Sequence, residues 1–328
     1  MPDTPRVSVV MSVYNAEKYL AEAVESMLGQ TFEDFEFIVI DDGSTDGSGT
    51  ILEKFAARDG RLTLLSQPNC GLVPSLNRAC KYARAPYVAR MDADDISLAH
   101  RLEKQVEYLD RNPEIGIVGT WIQDIGGSGE PGPIWPLPTS PLTIPWFLMF
   151  GNCMAHPTIM MRRQVIESLG YRDEAAHVED YDLWMRASSV TRLANIPEVL
   201  LKYRVLAHSV STRNLVSQEQ QAAKLQSQFR TQLIGTDVDG TVSKDLLLKL
   251  YSAYRANYSL SRGDESEIVL DIVRRTCLSN ELRNAWTSLI PLLPRLVSLQ
   301  ALRKMFRFGA SYATNAHYGF TTQRRVQG

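Results

Sequence analysis

Along the first third of the chain, apolar residues fall into two alternating patterns: short unbroken runs, and longer stretches in which they recur every three or four positions. Val7–Val13 (VSVVMSV) is continuous and β-branched, and so reads as a strand buried on both faces. Glu17–Leu28 carries Leu20, Val24 and Met27 or Leu28 at the spacing of one helical face. The alternation continues with a strand at Phe35–Ile40, a helix at Ile51–Ala57, a strand at Leu62–Leu65 and a helix at Val73–Ala83. A fourth strand, Tyr87–Met91, a helix at Arg101–Leu109 and a fifth strand at Ile115–Gly119 complete it. Strands separated by helices make right-handed crossovers, so the pattern predicts an α/β class built on a mostly parallel sheet, with ligands at the strands' carboxyl ends.

The rhythm breaks at Gly126–Pro145, a Gly- and Pro-rich span that reads as a loop or lid. Beyond it, Gly151–Met161 reads as a rebuilt strand, Arg163–Leu169 as a helix stopped at Gly170, and Leu200–Tyr203 as a further strand. Helices are expected at Val216–Leu233, Ser243–Tyr258 and Glu265–Cys277. In Ala285–Phe308, Trp286, Leu289, Leu293, Leu296, Leu299, Leu302 and Phe306 recur at helical spacing among arginines, broken by Pro291 and Pro294. Such a basic amphipathic segment suits an anionic membrane surface, and equally suits packing on the catalytic domain or a homodimer interface. The expected division is a catalytic domain over 1–213, its nucleotide-binding half about 1–120 and its acceptor half about 121–213, then a helical region over 214–328.

A chain of 328 residues with 44% hydrophobic content can bury a substantial core. Its formal net charge of -2 argues against nucleic acid as a partner. The four cysteines show no C-x-x-C spacing, which points away from zinc and disulfide frameworks and fits a reducing cytoplasm. No charged-then-apolar leader and no apolar run of bilayer-spanning length is apparent, so a soluble protein is expected.

Candidate chemistry gathers at strand ends. The run YVARM stops in Asp92-Ala93-Asp94-Asp95, and strand alternation would put Asp92 and Asp94 on one face with Ala93 on the other. Two like charges that close are most easily kept ionised by a divalent cation held through oxygen. The plain alternative is an acidic turn with Ser97 capping the next helix. Asp41-Asp42-Gly43-Ser44 ends the second strand, where a carboxylate can take hydrogen bonds from a base or ribose; Asp42 and Ser44 could instead cap a helix. Tyr14-Asn15 adds an aromatic face beside that spot. The absence of G-x-G-x-x-G disfavours a dinucleotide dehydrogenase. Later, Glu179 and Asp180 open a helix whose Leu183, Trp184 and Ala187 face the core, a placement that the helix dipole alone would favour. His208 is an isolated histidine.

Taken in order, VSVVMSVYNAEKYLAEAVESMLGQTFEDFEFIVIDDGSTD, NCGL with LNRAC, YVARMDADD, HPTIMMRR, VEDYDLWMR and IPEVLLKYR resemble the family 2 glycosyltransferases of the GT-A fold over about residues 6–213. The resemblance implies a Rossmann-like sandwich and an inverting transfer of sugar from a nucleoside diphosphate donor, UDP- or TDP-linked, to a saccharide or lipid-linked acceptor hydroxyl. By position, Tyr14, Asn15, Asp41, Asp42, Ser44, Asn77 and Arg78 would hold the nucleotide, and Asp92 and Ala93 would meet the donor. Asp94 would hold Mg2+ or Mn2+ on the diphosphate, with His208 as a further metal or phosphate contact. Asp180 of the Glu179-Asp180 pair would be the catalytic base. Processive members carry Q-x-x-R-W and transmembrane helices, and this chain has neither, so single additions are expected, in cell-surface polysaccharide synthesis at the cytoplasmic side of the membrane. Two other readings stand beside this one. Asp237-Val238-Asp239-Gly240-Thr241 resembles the D-x-D-G-T signature of haloacid-dehalogenase-type phosphatases, although the polar Gln226–Gln232 precedes it where that family needs an apolar strand. A non-catalytic sugar-nucleotide-binding subunit is the other.

Overall fold

The computed structural model describes residues 4–206, 215–236 and 243–278. The described residues divide into two compact units: 4–139 with 154–206 and 215–218, and 140–153 with 219–236 and 243–278.

The first unit is built on a sheet whose strands lie in the order Leu62–Ser66, Phe35–Asp41, Val7–Val13, Tyr87–Met91, Met160–Arg162, Ile115–Ile125, Arg192–Arg204 and Ile96–Ser97, with Pro131–Trp135 paired to Ile115–Ile125. Strands β1 (Val7–Val13), β2 (Phe35–Asp41), β3 (Leu62–Ser66) and β4 (Tyr87–Met91) run parallel, joined by helices α1 (Glu17–Leu28), α2 (Ser48–Arg58) and α3 (Leu72–Tyr82). All seven residues of β2 and all five of β4 are buried, Glu36, Asp41 and Arg90 included, which is why apolar residues dominate both segments. The chain adds β2 and β3 on one side of β1 and β4 on the other. The direction of winding therefore reverses between β1 and β4, where a doubly wound sheet leaves its ligand crevice. Residue pairing aligns Val13 with Asp41 and Met11 with Met91, so the three strands end at one edge.

The second half of the sheet is mixed. Strand β6 (Ile115–Ile125) lies parallel to β9 (Arg192–Arg204), while β8 (Met160–Arg162) runs antiparallel to both β4 and β6. Helices α4 (Arg101–Arg111), α6 (Arg163–Leu169) and α7 (Glu179–Ala187) complete the unit.

Several sequence expectations change here. Strand β4 ends at Met91, and residues 92–95 form a bend before the two-residue β5 (Ile96–Ser97), so strand alternation is not what brings the aspartates together. Ser97 is no helix cap: it pairs with Leu201, its N–H donates to Ser26 Oγ and its hydroxyl accepts from Gln30. Strand β6 continues six residues past Gly119 because its polar positions Thr120 and Asp124 are buried too. The expected lid contains β7 (Pro131–Trp135), whose prolines are tolerated because it forms a sheet edge. Of Gly151–Met161, only the last two residues belong to a strand; a 3-10 turn occupies His156–Thr158.

The second unit wraps the short helix α5 (Ile144–Leu148) with α8 (Leu215–Ile234), α9 (Lys244–Asn257) and α10 (Arg262–Leu278). Trp146 is its fully buried centre, edge-on to Tyr251 and Tyr254 at 6.4 and 5.6 Å, with its indole N–H donating to Asp271 at 2.9 Å. Ser140 donates to Asp264 and Thr143 to Glu267, and Tyr254 donates to the carbonyl of Leu142. No helix among the described residues is long and apolar enough to cross a membrane. Ala285–Phe308, His208, Asp237 and Asp239 lie outside the described residues.

Candidate active site

The first part of the site is built where β1 and β2 end. Asn15 adopts a left-handed φ of 50°, its N–H donates to Ser44 Oγ at 3.1 Å, and its Oδ1 accepts from the Thr45 N–H at 2.8 Å. Asp41 accepts from the Ser44 N–H at 3.0 Å. Asp42 is buried and takes hydrogen bonds from Gln67 (2.7 Å) and from the N–H groups of Cys70 (3.0 Å) and Gly71 (2.8 Å). Burial acts to raise its pKa, but these donors outweigh it and hold the carboxyl below the usual range. Gly43 makes the close approach possible: at φ 75° a Cβ would lie 2.6 Å from the Asn69 nitrogen. Arg78 joins the group through Gln67, donating to its Oε1 at 2.7 Å and to the Ser66 carbonyl at 3.0 Å. Tyr14, 52% exposed, offers a free ring face beside these residues. The first helix cap of α2 comes from neither Asp42 nor Ser44; Asp46 accepts from the Ser48 N–H instead. Asn77 is turned elsewhere, its amide bracketing the Tyr171 backbone with bonds of 2.9 and 3.0 Å.

The second part lies at the end of β4. Carboxylate oxygens of Asp92, Asp94 and Asp95 all lie within 4.8 Å of one another. Asp92 is gripped by both terminal nitrogens of buried Arg90. Asp95 is 1% exposed; one oxygen accepts from the Arg204 N–H at 2.7 Å, and the other is buried without a hydrogen-bond partner. Burial, then the charge of Asp92, pushes Asp94 up to about 6; burial, then the charges of Asp94 and Asp92, drives Asp95 well above the ordinary carboxylate range. An orphaned carboxylate oxygen inside a cluster of carboxylates is costly unless a cation meets it. Hard carboxylate oxygens on Asp94 and Asp95, one of them buried and unpaired, with Asp92 beside them, fit Mg2+ or Mn2+. Ala93 occupies the bend between Asp92 and Asp94.

The third part opens α7. Glu179 is buried and Asp180 half-buried, with Asp180 Oδ1 accepting the Tyr181 N–H at 2.7 Å. The helix is fixed by buried Leu183 and Trp184 and by Arg186, which bonds Asp182 and the carbonyls of Leu169 and Gly170. Burial, then the Asp180 charge, lifts Glu179 to about 7. The buried Arg90 guanidinium, which grips Asp92, also favours the charged forms of Asp94, Asp95 and Glu179, against the larger effect of burial. Nearby, neutral His156 is hydrogen-bonded to the Tyr171 hydroxyl at 2.9 Å and stands edge-on to Trp184.

Arg90 and Gln67 were given no role by the sequence reading. A lone arginine inside the apolar run YVARM was the available signal for the first; nothing local marked the second.

Residues 8–170 match the family model described as Glycosyl transferase family 2. An uncharacterized glycosyltransferase of Haemophilus influenzae is 33% identical over 78% of this chain and 84% of its own. The chain belongs to glycosyltransferase family 2. The O-antigen biosynthesis glycosyltransferase WbnJ of Escherichia coli is 36% identical over 63% of this glycosyltransferase and 82% of its own length. Among solved structures, S. aureus TarS in complex with UDP-GlcNAc superposes with a TM-score of 0.56 at 18% identity, covering 93% of this chain and 92% of that one. The Pyrobaculum calidifontis mannosyltransferase PcManGT, in complex with GDP-Man and Mn2+, gives 0.53 at 18% identity over 93% and 88%. These structural likenesses establish the GT-A architecture of this glycosyltransferase.

Proposed function

We propose that this glycosyltransferase moves one sugar at a time, with inversion, from a UDP- or TDP-sugar to a saccharide or lipid-linked acceptor hydroxyl in cell-surface polysaccharide synthesis at the cytoplasmic side of the membrane. The observation that carries the reading is the convergence of Asp92, Asp94 and Asp95 at the β4 end, with a buried oxygen left over for a cation. The relative named for O-antigen biosynthesis supports the pathway class, and the solved complexes with UDP-GlcNAc and with GDP-Man and Mn2+ support the donor class and the metal.

In this reading the Tyr14 ring stacks on the base, and the network of Asp41, Asp42 and Ser44, with Arg78 behind it, meets base and ribose. Asp94, with Asp95 beside it, would hold Mg2+ or Mn2+, and that cation would supply the positive charge needed against a departing diphosphate. Asp92, held by Arg90, faces the donor sugar. Asp180 stands at the mouth of α7 and accepts the proton of the acceptor hydroxyl as that oxygen attacks. Attack from the side opposite the leaving group inverts the anomeric centre. Glu179, lifted to about 7 by burial and then by the Asp180 charge, is only partly ionised at neutral pH beside the base.

The test is a screen of UDP-, TDP- and GDP-sugars for nucleoside diphosphate release with Mn2+ and with EDTA, followed by NMR of the product. Mn2+-dependent release from one donor and an inverted anomer are expected. Full activity in EDTA, or a retained anomer, overturns the mechanism.

A further inference from the structure

Arg204 closes strand β9, and its side chain is 2% exposed. A guanidinium carries five N–H donors in a rigid plane, and here all three of its nitrogens are engaged by protein. Nε donates to the carbonyl of Asp94 at 2.7 Å, Nη1 to the carbonyls of Gly126 at 3.1 Å and Gly127 at 3.4 Å, and Nη2 to Glu22 Oε2 at 2.5 Å. The plane lies over the Tyr19 ring, 4.3 Å from its centroid. The backbone N–H of Arg204 donates to Asp95 Oδ1 at 2.7 Å. One residue thus holds the carbonyl of Asp94 and the carboxylate of Asp95, and braces both against α1 and the β6–β7 turn.

We propose that Arg204 is the positioning residue of the cation-holding bend, setting the direction of the Asp94 and Asp95 carboxylates through the Asp94 backbone. The inference rests on the reading of that bend as the cation site. Asp92–Asp95 lie between two strands and belong to neither, so their geometry is set by what bonds to them from outside. Since each nitrogen of Arg204 is already committed to the protein, the side chain acts on the cation by fixing its ligands and not as a direct charge on the diphosphate. A lysine would keep the charge but has a single nitrogen, which cannot span Asp94, the Gly126–Gly127 turn and Glu22 together.

The experiment titrates Mn2+ alone into the full-length protein and follows free and bound Mn2+ by EPR, with thermal melts on the same samples, for wild type, D94N, R204K and E22A. R204K is expected to fold and to bind Mn2+ about 10- to 100-fold more weakly, the range usual for partners behind metal ligands, with an altered bound-Mn2+ spectrum. E22A, at a side chain 54% exposed on α1, removes the far anchor only and is expected to weaken Mn2+ by a smaller factor. Wild-type Mn2+ affinity and spectrum in folded R204K overturn the proposal. If R204K does not fold, unchanged affinity in E22A overturns it. D94N separates this from the cation site itself: undiminished Mn2+ binding in D94N overturns the site, whereas loss in D94N with none in R204K and E22A overturns only the positioning role.

Discussion

Arg90 and Asp92 are two residues apart in the chain and meet head-on, with both guanidinium nitrogens against both carboxylate oxygens, at 4% and 30% side-chain exposure. The strand end places a buried cation beside the first acid of the cluster, so the charge of Asp92 is countered within the protein, and in the proposed reading Asp94 and Asp95 are the groups left for a metal. Breaking such a pair leaves an uncompensated charge. Arg90→Met is expected to lower stability by about 3 kcal/mol in urea unfolding, and Arg90→Met with Asp92→Asn to recover part of that loss. Additive losses in the double variant would show that the two side chains are not coupled.

Asp94→Asn keeps size and polarity but removes the charge from a group at a bend outside the core. Transfer should fall to background and Mn2+ should no longer raise the melting temperature in the presence of UDP, with the melt of the protein alone at neutral pH no lower than wild type, since the burial and Asp92 charge that lift Asp94 to about 6 no longer oppose an ionised group. Normal turnover in this variant would remove Asp94 from the site.

Asp180→Asn cannot take a proton at neutral pH, yet can still accept the Tyr181 N–H. A drop in kcat of about 10²- to 10⁴-fold with donor KM nearly unchanged is expected. A collapse of donor affinity with kcat preserved would make Asp180 a binding residue.

Glu179 carries a pH signature. Its carboxyl is lifted from an ordinary 4.5 to about 7 in the fold, by burial and then by Asp180. The native state then binds more protons than the unfolded chain between those values, so its contribution to stability is complete below 4.5 and is lost as pH rises through 7. Glu179→Gln should flatten the decline in melting temperature over this window and leave the variant relatively more stable at pH 8. An unaltered pH profile would show that Glu179 titrates normally.

Gly43 is required by its φ of 75° and by the Asn69 nitrogen that a Cβ would meet at 2.6 Å. Gly43→Ala should reduce stability by about 1–3 kcal/mol and weaken UDP binding measured calorimetrically, because the Asp42 carboxylate and the 67–71 loop are set against this turn. Wild-type UDP affinity in the variant would separate this turn from the nucleotide site.

The sequence by itself determined the parallel half of the sheet and which strand ends carry acids. Val7–Val13, Phe35–Asp41 and Tyr87–Met91 are buried on both faces, and an apolar run that stops in aspartates reports both the strand and its exit to solvent. Helix α7 was legible for the same reason, since Leu183, Trp184 and Ala187 mark one face and the acids mark its start. Tertiary structure alone decided which groups meet. Arg204 reaches Asp94 across 110 positions and Asn77 reaches Tyr171 across 94, and no local period encodes either pairing. It also decided that Ser140–Cys153 packs with the C-terminal helices, that β4 gives way to a bend before Asp94, and that Asp95 turns inward with an oxygen unpaired. Periodicity records which face of an element is buried; the partners of a buried polar group depend on which loops converge at a sheet edge, and that is fixed only when the strands are in register.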